Sequence, residues 1–193
     1  MTTKCMNVYI VEDEPVTRKA LRIFLGKHSA DIEIIGEAET AELGIQQIQK
    51  LRPSIALLDI GLPGMNGIDA AHRIKSTSPE TKVLMLTNYE DESSILAAFN
   101  AGADGYVFKA GFKDSLDLAM RTVKIGAVWL DPRIAQQILN LAIKKGDNGG
   151  LTNLSAQDRH KLEEVAHAAC EDGVCLVEPT FLQKLQRIKP VRT

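Results

Sequence analysis

The sequence predicts a doubly wound α/β domain over residues 5–125, followed by a linker helix and a small all-α tail. Short apolar runs recur along the first two thirds of the chain, and stretches with helical spacing separate them. Runs of about four apolar residues without strict alternation are typical of parallel strands buried on both faces. Apolar residues at helical spacing between such runs predict helices that cover the two faces of the sheet.

The predicted strands are the five apolar runs at residues 8–11, 32–35, 55–58, 83–86 and 106–108. Helical spacing between them is carried by Val16, Ala20 and Ile23, by Ile45, Ile48 and Leu51, and by Leu116, Ala119 and Val123. Gly26, Pro53 and Pro79 stand where helices must end. Five strands that alternate with five helices predict one five-stranded parallel sheet.

After residue 125 the pattern changes. Residues 126–150 predict a linker with an amphipathic helix, because Asp131 is a suitable N-cap and Pro132 fits the first helical turn. Apolar side chains at Ile134, Ile138 and Leu141 give that helix an apolar stripe. The glycine-rich stretch at 146–150 predicts a flexible connection to a small helical unit over residues 151–193.

Composition excludes several classes of protein. The 193 residues carry 23 basic and 25 acidic side chains, whereas coating nucleic acid by electrostatics alone needs a surplus of clustered basic residues. The three cysteines, Cys5, Cys170 and Cys175, are an odd and scattered set, which disfavours a disulfide framework. The sequence has no evident signal peptide and no run of about 20 apolar residues, so we expect a cytoplasmic protein without a membrane partner.

Polar side chains follow four of the five predicted strands. Glu12 and Asp13 come after the first strand, Asp59 after the third, Thr87 after the fourth and Lys109 after the fifth. Because the carboxyl ends of parallel strands meet at one edge of a sheet, we expect these side chains in one pocket. Taken singly, the acids suit helix caps, the threonine a turn and the lysine a solvated surface. Their convergence favours a shared site.

The chemistry of that pocket indicates phosphoryl transfer. Three carboxylates repel one another and raise each other's pKa unless a cation lies among them. Oxygen ligands without His or Cys select a hard ion such as Mg²⁺, which also binds phosphoryl oxygens. Lys109 would neutralise one phosphoryl oxygen and Thr87 would donate a hydrogen bond to another. Asp59 is therefore interpreted as the nucleophile that accepts a phosphoryl group.

These residues lie in four motifs: Glu12-Asp13, LLDIGLPG at 57–64, Leu86-Thr87 and GADGYVFK at 102–109. Together the motifs resemble the receiver domain of bacterial two-component response regulators. The resemblance covers residues 5–125 and implies a flavodoxin-like fold with strand order 2-1-3-4-5. It also implies a signalling switch whose only catalysis is its own phosphorylation and dephosphorylation.

The resemblance assigns roles to individual residues. Asp59 would accept its phosphoryl group from the phosphohistidine of a sensor histidine kinase. The implied Mg²⁺ ligands are Glu12, Asp13, Asp59 and the backbone carbonyl of Gly61. Thr87 and Lys109 would hold the phosphoryl oxygens, and Tyr106 would swing inward as Thr87 moves, which changes the face made by the fourth helix, fifth strand and fifth helix. Asn88 stands where the family usually has a very small residue, which predicts crowding of the pocket.

Residues 126–132, GAVWLDP, resemble the linker of NarL/FixJ response regulators, which carry a four-helix DNA-binding domain with a helix-turn-helix. Residues 154–166 resemble the first helix of that domain, with Ser155 as its cap. The helix-turn-helix motifs expected after it are absent, so the tail is interpreted as a shortened, degenerate version. Its six basic and six acidic side chains form no basic stripe, and Lys184 and Arg187 are the candidate DNA contacts.

Two functions are compatible with this organisation. The first is a phosphorylation-controlled transcription regulator that forms a homodimer on activation and binds DNA. The second is a receiver protein whose degenerate tail binds a protein partner or dimerises without binding DNA. A phosphatase of the haloacid dehalogenase type also uses an aspartyl phosphate, but its second Asp belongs two residues after the nucleophile, where this chain has Gly61.

Overall fold

A computed structural model describes residues 5–28, 31–131 and 133, and the backbone of residues 176–177. Strands and helices alternate along the described chain. In order they are β1 (Met6–Val11), α1 (Pro15–His28), β2 (Ile32–Ala38), α2 (Ala41–Leu51), β3 (Ile55–Leu58), α3 (Gly67–Thr77), β4 (Lys82–Thr87), α4 (Glu92–Asn100), β5 (Gly105–Phe108), α5 (Phe112–Lys124), β6 (Val128–Leu130) and β7 (Leu176–Val177). The five predicted pairs of strand and helix are confirmed.

The strands form one sheet in the order β2-β1-β3-β4-β5-β6-β7. All neighbouring pairs are parallel except β6 with β7, which is antiparallel. The predicted order 2-1-3-4-5 is confirmed, but the prediction of five strands was wrong, because β6 and β7 extend the sheet. Residues 128–130 were assigned to the linker, because a run of three apolar residues is too short to be recognised from periodicity.

β6 is part of the sheet because it covers the outer edge of β5. Trp129 lies opposite Gly105 and Leu130 opposite Tyr106, and the side chains of β6 are buried. β7 also departs from the prediction of an all-α tail, since residues 176–177 form a strand. The predicted linker helix, the glycine-rich connection and the candidate contacts Lys184 and Arg187 lie outside the described residues.

The sheet separates two apolar clusters. On one face the strands pack against α1 and α5 through side chains such as Leu21, Leu116 and Met120. On the other face they pack against α2, α3 and α4 through side chains such as Ile48 and Phe99. The central strands are therefore buried on both faces, as their uninterrupted apolar runs predicted.

Side-chain caps fix the start of three helices near the carboxyl edge of the sheet. Thr40 accepts a hydrogen bond from the backbone N–H of Leu43 at the start of α2, and Asn66 accepts one from Asp69 at the start of α3. Asp91 caps α4 in the same way, with Ser94 as the backbone donor. These bonds satisfy N–H groups that have no partner within the helix, and they hold the loops that follow β2, β3 and β4.

The cap of α4 leads to a first prediction. We expect Asp91→Ala to lower the free energy of unfolding by about 1 kcal/mol. Asp91 Oδ1 accepts hydrogen bonds from the Ser93 hydroxyl at 2.5 Å and from the Ser94 N–H at 2.9 Å. These bonds lower the pKa of Asp91 to about 2 from its ordinary value of 3.8. The stabilisation is therefore present above the ordinary pKa and is lost as the pH falls toward 2.

Urea denaturation at neutral pH and at about pH 3 measures both effects. Asp91→Asn is the matched control, because its amide oxygen still caps the helix but has no charge to titrate. This variant should retain most of the stability and lose the part of the acid dependence that comes from residue 91. An Asp91→Ala protein as stable as the parent at neutral pH would contradict the role of this cap.

Candidate functional site

The carboxyl edge of the sheet brings together side chains from three separate strands. Glu12 follows β1, Asp59 follows β3 and Lys109 follows β5. The ammonium Nζ of Lys109 lies 2.8 Å from Asp59 Oδ2, and 2.9 and 2.8 Å from the two carboxylate oxygens of Glu12. The exposed fractions of these side chains are 11% for Lys109, 2% for Glu12 and 7% for Asp59. The predicted convergence of these three groups is thus present in the fold.

A third carboxylate completes an acidic cluster at the mouth of the pocket. Oxygens of Glu12, Asp13 and Asp59 all lie within 4.8 Å of one another, and Asp13 is the exposed member. The donor set is made of oxygen alone, which suits a hard divalent ion such as Mg²⁺. Lys109 supplies one positive charge against three carboxylates, so the pocket retains negative charge that a cation would neutralise. The residues present therefore fit a divalent ion.

Gly61 lies beside this cluster. A Cβ atom at position 61 would lie 3.5 Å from Asp59 Oδ2 and 3.4 Å from the ring carbon Cε2 of Tyr89. The backbone of Gly61 is therefore close enough to the acidic cluster to be part of the same pocket. Its carbonyl as a metal ligand stays a prediction.

Burial and charge control protonation in the pocket. Burial is the main cause that raises the pKa of Glu12 above its ordinary value, and the charge of Asp59 adds to it, whereas Lys109 opposes it. Burial acts to lower the pKa of Lys109, but hydrogen bonds to Asp59 and Glu12, together with their charges, raise it overall. Lys109 is therefore fully charged at neutral pH. Lys109 therefore offers a stable positive charge within an acidic pocket, and phosphoryl oxygens bind to such a charge.

Thr87 lies at the same edge, at the end of β4. It is fully buried, and its backbone carbonyl accepts a hydrogen bond from the N–H of Lys109 at 2.8 Å. This bond holds Thr87 next to the residue that contributes the ammonium group. The Thr87 hydroxyl accepts a hydrogen bond from the N–H of Tyr89 at 3.2 Å. Thr87 thus connects the end of β4 to the loop before α4.

Tyr106 lies inside the fold. It is fully buried, and its hydroxyl donates a hydrogen bond to the backbone carbonyl of Tyr89 at 2.8 Å. The ring packs edge to face against Phe108, with 5.9 Å between the ring centroids, and contacts Phe99 on α4. Burial raises the pKa of Tyr106 well above its ordinary value, so the phenol is a neutral donor. Tyr106 thereby ties β5 to the loop that follows Thr87.

Tyr89 is a pocket residue that was not predicted from the sequence. Its side chain is 46% exposed, and its ring covers Gly61 beside the Asp59 carboxylate. Asn88 was the residue expected to crowd the pocket, but Asn88 is exposed. The sequence did contain a signal for this role. Tyr89 is an aromatic residue two positions after Thr87, in a loop where it is not needed for packing of the core.

Gly67 is a second residue whose role was not predicted, and it leads to another prediction. Gly67 begins α3 directly against the end of β3, and its N–H donates a hydrogen bond to the carbonyl of Ile60. A Cβ atom at position 67 would overlap the carbonyl oxygen of Asp59 and lie 2.7 Å from its carbonyl carbon. Both neighbouring atoms belong to the backbone and cannot rotate away, so only glycine fits.

We expect Gly67→Ala to lower the free energy of unfolding by about 1–3 kcal/mol, because it forces α3 away from β3. The displacement would also move the backbone of Asp59. Gly26→Ala is the control, since a Cβ atom there meets nothing within 4 Å, and alanine in a helix is favoured by up to about 1 kcal/mol. Chemical denaturation separates the two variants, and equal stability would contradict the crowding at residue 67.

The fold and the pocket define a class of protein: an open, mostly parallel α/β domain with an acidic pocket and one partly buried lysine at the carboxyl edge of its sheet. Sequence comparison agrees with this class. The profile of the response regulator receiver domain matches residues 8–121. The chain belongs to this family, whose members are signalling switches that act with sensor kinases and often dimerise and bind DNA.

Individual relatives extend the comparison. The chain is 32% identical over 135 residues to the transcriptional regulatory protein LnrK of Bacillus subtilis (strain 168), a match that covers 70% of this chain and 61% of LnrK. It is 31% identical over 190 residues to the DNA-binding transcriptional activator DevR/DosR of Mycobacterium tuberculosis (strain ATCC 25618 / H37Rv), covering 95% of this chain and 86% of that protein.

Solved structures support the same assignment. The crystal structure of a two-component response regulator of the LuxR family from Aurantimonas sp. SI85-9A1 matches with a TM-score of 0.68 and 28% identity, and covers 72% of this chain and 99% of that chain. The resemblance to NarL/FixJ-type response regulators is therefore confirmed. Among the described residues, no helix combines the length and the apolar character that crossing a bilayer requires.

Proposed function

We propose that this protein is a phosphorylation-dependent response regulator in which Asp59 accepts a phosphoryl group from the phosphohistidine of a sensor histidine kinase. The observation that carries the proposal is the buried contact of Lys109 with both Asp59 and Glu12, at distances of 2.8 to 2.9 Å. The Asp59 carboxyl group thus lies in direct contact with a cationic side chain. That arrangement suits a nucleophile whose product carries additional negative charge.

The transfer needs the two reacting side chains and one proton from solvent. A carboxylate oxygen of Asp59 forms a bond to phosphorus, and the bond between phosphorus and the imidazole nitrogen of the kinase breaks. The electron pair of that bond stays on the imidazole, which takes up the proton and leaves as neutral histidine. Lys109 neutralises the transferred oxygens, and the Thr87 hydroxyl, which accepts from the Tyr89 N–H, still has its own proton to donate to one of them.

Glu12, Asp13 and Asp59, together with the carbonyl of Gly61, would hold Mg²⁺ in this proposal. When bound, the ion neutralises charge on the phosphoryl oxygens and orients them for transfer. Lys109 contacts the two buried carboxylates, Glu12 and Asp59, and supplies one positive charge to them. The exposed position of Asp13 leaves the cluster open to the phosphoryl donor.

Phosphorylation would switch the protein through Thr87 and Tyr106. When the Thr87 hydroxyl donates a hydrogen bond to a phosphoryl oxygen, it draws the loop before α4 toward the pocket. Tyr106 is buried in this arrangement. The hydrogen bond from Tyr106 to the Tyr89 carbonyl connects the two movements. The face formed by α4, β5 and α5 would then change its packing and act as the output surface.

The output is proposed to be transcription. Residues 5–125 would be the receiver domain, residues 126–150 the linker and residues 151–193 a small helical output unit, with a homodimer formed on activation. The match to DevR/DosR, which is named as a DNA-binding transcriptional activator, covers 95% of this chain and so includes most of the tail. Lys184 and Arg187 remain the candidate DNA contacts.

Incubation of the full chain with acetyl phosphate and Mg²⁺ tests the phosphorylation step. Intact-mass spectrometry should show the addition of one phosphoryl group, and a chelator such as EDTA should prevent it. Labelling that is unchanged by the chelator would argue against a divalent ion in the pocket. The proposal would be overturned if the folded protein accepts a phosphoryl group neither from acetyl phosphate nor from a phosphohistidine kinase.

A second experiment tests the output. Residues 151–193 have equal numbers of acidic and basic side chains, which favours the alternative of a protein-binding or dimerising tail. A salt titration of DNA binding, with and without acetyl phosphate, separates the two. Affinity that falls steeply with salt and rises on phosphorylation supports transcription. Absence of any salt-dependent affinity supports the alternative.

A further inference from the structure

Two described residues follow β6 and lie across the end of β5. The backbone N–H of Asp131 donates a hydrogen bond to the carbonyl of Tyr106 at 3.2 Å, so Asp131 continues the ladder between β5 and β6. Its side chain is 7% exposed. The carboxylate accepts hydrogen bonds from the backbone N–H of Arg133 at 3.1 Å and from its Nε at 3.1 Å. Asp131 is thus a buried acid whose guanidinium partner is only two residues away.

Arg133 contacts β5 and its following loop on both sides of Lys109. The carbon Cζ of its guanidinium lies 4.4 Å from the centroid of the Phe108 ring. One of its terminal nitrogens donates a hydrogen bond to the carbonyl of Ala110 at 3.1 Å. Phe108 and Ala110 are the immediate neighbours of Lys109. Arg133 therefore holds the backbone from which the pocket's only described ammonium group extends.

The same guanidinium is connected to the buried tyrosine. Phe108, which Arg133 covers, packs edge to face on Tyr106, and Tyr106 bonds to the loop that carries Thr87. Rings packed in this way cannot move independently, because interiors are close-packed. A displacement of Tyr106 therefore requires Phe108, and with it Arg133, to move.

Charge at this position reinforces the contact. The hydrogen bond to Asp131 is the main cause that raises the pKa of Arg133, and the charges of Asp131 and of Glu90 add to it. Glu90 belongs to the loop between β4 and α4. Arg133 is thus hydrogen-bonded to the loop after β5 through Ala110 and attracted by Glu90 toward the loop after β4. Loss of the contact between Arg133 and Asp131 would leave the buried Asp131 carboxylate without this partner, which costs free energy. We therefore expect two distinct arrangements, one with Arg133 bound to Asp131 and one with it released.

We propose that Asp131 and Arg133 form a latch that positions Lys109 and couples phosphorylation of Asp59 to the chain segment after residue 133. This inference rests on the proposed function. The latch is closed in the arrangement in which Tyr106 is buried, and phosphorylation favours that arrangement. Because coupling between two sites is reciprocal, a closed latch promotes phosphorylation and phosphorylation tightens the latch. Arg133 is a positioning residue, since it touches no reacting atom.

Arg133→Ala and Arg133→Lys test the latch. We expect both variants to be labelled by acetyl phosphate about 3- to 10-fold more slowly than the parent protein, because Lys109 is positioned less precisely. Lysine keeps the charge but not the planar fork that reaches Asp131 and Ala110 while stacking on Phe108. Arg121→Ala is the matched control, because its side chain is 44% exposed against 51% for Arg133 and forms ion pairs with Asp31 and Asp117 away from the pocket. It should be labelled at the parental rate.

Hydrogen exchange supplies a readout that a purely structural role would not move. Phosphorylation of the parent protein should slow exchange at the amides of Asp131 and Arg133, and this change should be absent in Arg133→Ala. Circular dichroism verifies that the variants are folded. If Arg133→Ala is unfolded, the comparison is made with Arg133→Lys alone.

The outcomes separate the two proposals. A parent protein that accepts no phosphoryl group overturns the proposed function. A parent protein that is labelled normally, with Arg133 variants labelled at the same rate and no exchange change at residues 131–133, overturns the latch alone.

Discussion

Asp59→Asn is expected to abolish incorporation of a phosphoryl group from acetyl phosphate in the presence of Mg²⁺. An amide is not a nucleophile at neutral pH, and of the two carboxylates that contact Lys109, we assign only Asp59 as the phosphoryl acceptor. The loss should be complete within the detection limit of intact-mass spectrometry. Peptide mapping of the parent protein should locate the added group on the peptide that contains residue 59.

The fold of this variant should remain intact. Asparagine removes one of the two buried negative charges beside Lys109, so repulsion from Glu12 falls and the free energy of unfolding should be unchanged or higher. Asp69→Asn is the matched control, because Asp69 is an exposed acid at the start of α3 and should be labelled like the parent. Phosphoryl incorporation into Asp59→Asn at the parental level would refute the assignment.

Lys109→Met has the second large expected effect, because it leaves Glu12 and Asp59 buried without their shared cation. We expect the free energy of unfolding to fall by about 3 kcal/mol in the absence of divalent ions. Labelling by acetyl phosphate should slow by about 10²-fold, since a fixed positive charge at the transferred oxygens is lost. Methionine keeps much of the length and apolar stem of lysine, so the change reports mainly on charge.

The loss of unfolding free energy in Lys109→Met should depend on pH. Lys109 opposes the effect of burial on Glu12, so its removal raises the pKa of Glu12 further above the ordinary value of 4.5. A folded-state pKa above the ordinary value means that stability is greatest below it and declines as the pH rises. The difference between variant and parent should therefore shrink as the pH approaches 4.5.

Urea denaturation across this pH range measures the effect. Lys82→Met is the control, because Lys82 pairs with Asp104 at 3.1 Å away from the pocket, and Asp104 keeps its second partner Lys75. Lys82→Met should lower the free energy of unfolding by less than about 1 kcal/mol, and this loss should not depend on protonation of the pocket. Equal losses in the two methionine variants would contradict a special electrostatic role for Lys109.

Much of the site could be predicted from the order of residues along the chain. The central strands are uninterrupted apolar runs, and in a parallel sheet the residue after each run must lie at one edge. That rule alone brings Glu12, Asp59 and Lys109 together, and the structure has all three in contact. Charge logic then indicated a cation for the carboxylates, which is a property of residue type and not of detailed geometry.

Other features could not be predicted, because they depend on contacts between segments with no local signal. β6 is three residues long and is a strand only because the edge of β5 is available to pair with it. Gly67 is required by the close backbone approach of α3 to Asp59, whereas a glycine in a sequence is equally compatible with a turn or a helix end. The Tyr89 ring lies against Gly61 because its loop is held by hydrogen bonds to Thr87 and Tyr106.

The sequence by itself therefore determined the fold class, the edge of the sheet that carries the site and the chemical character of the groups at that edge. These follow from periodicity and residue type, which act within one segment at a time. Only the tertiary structure decided how tightly Lys109 contacts its two carboxylates, and that Arg133 lies against Phe108 and Ala110. Distances between residues far apart in the chain arise from packing of whole elements, and no local pattern records them.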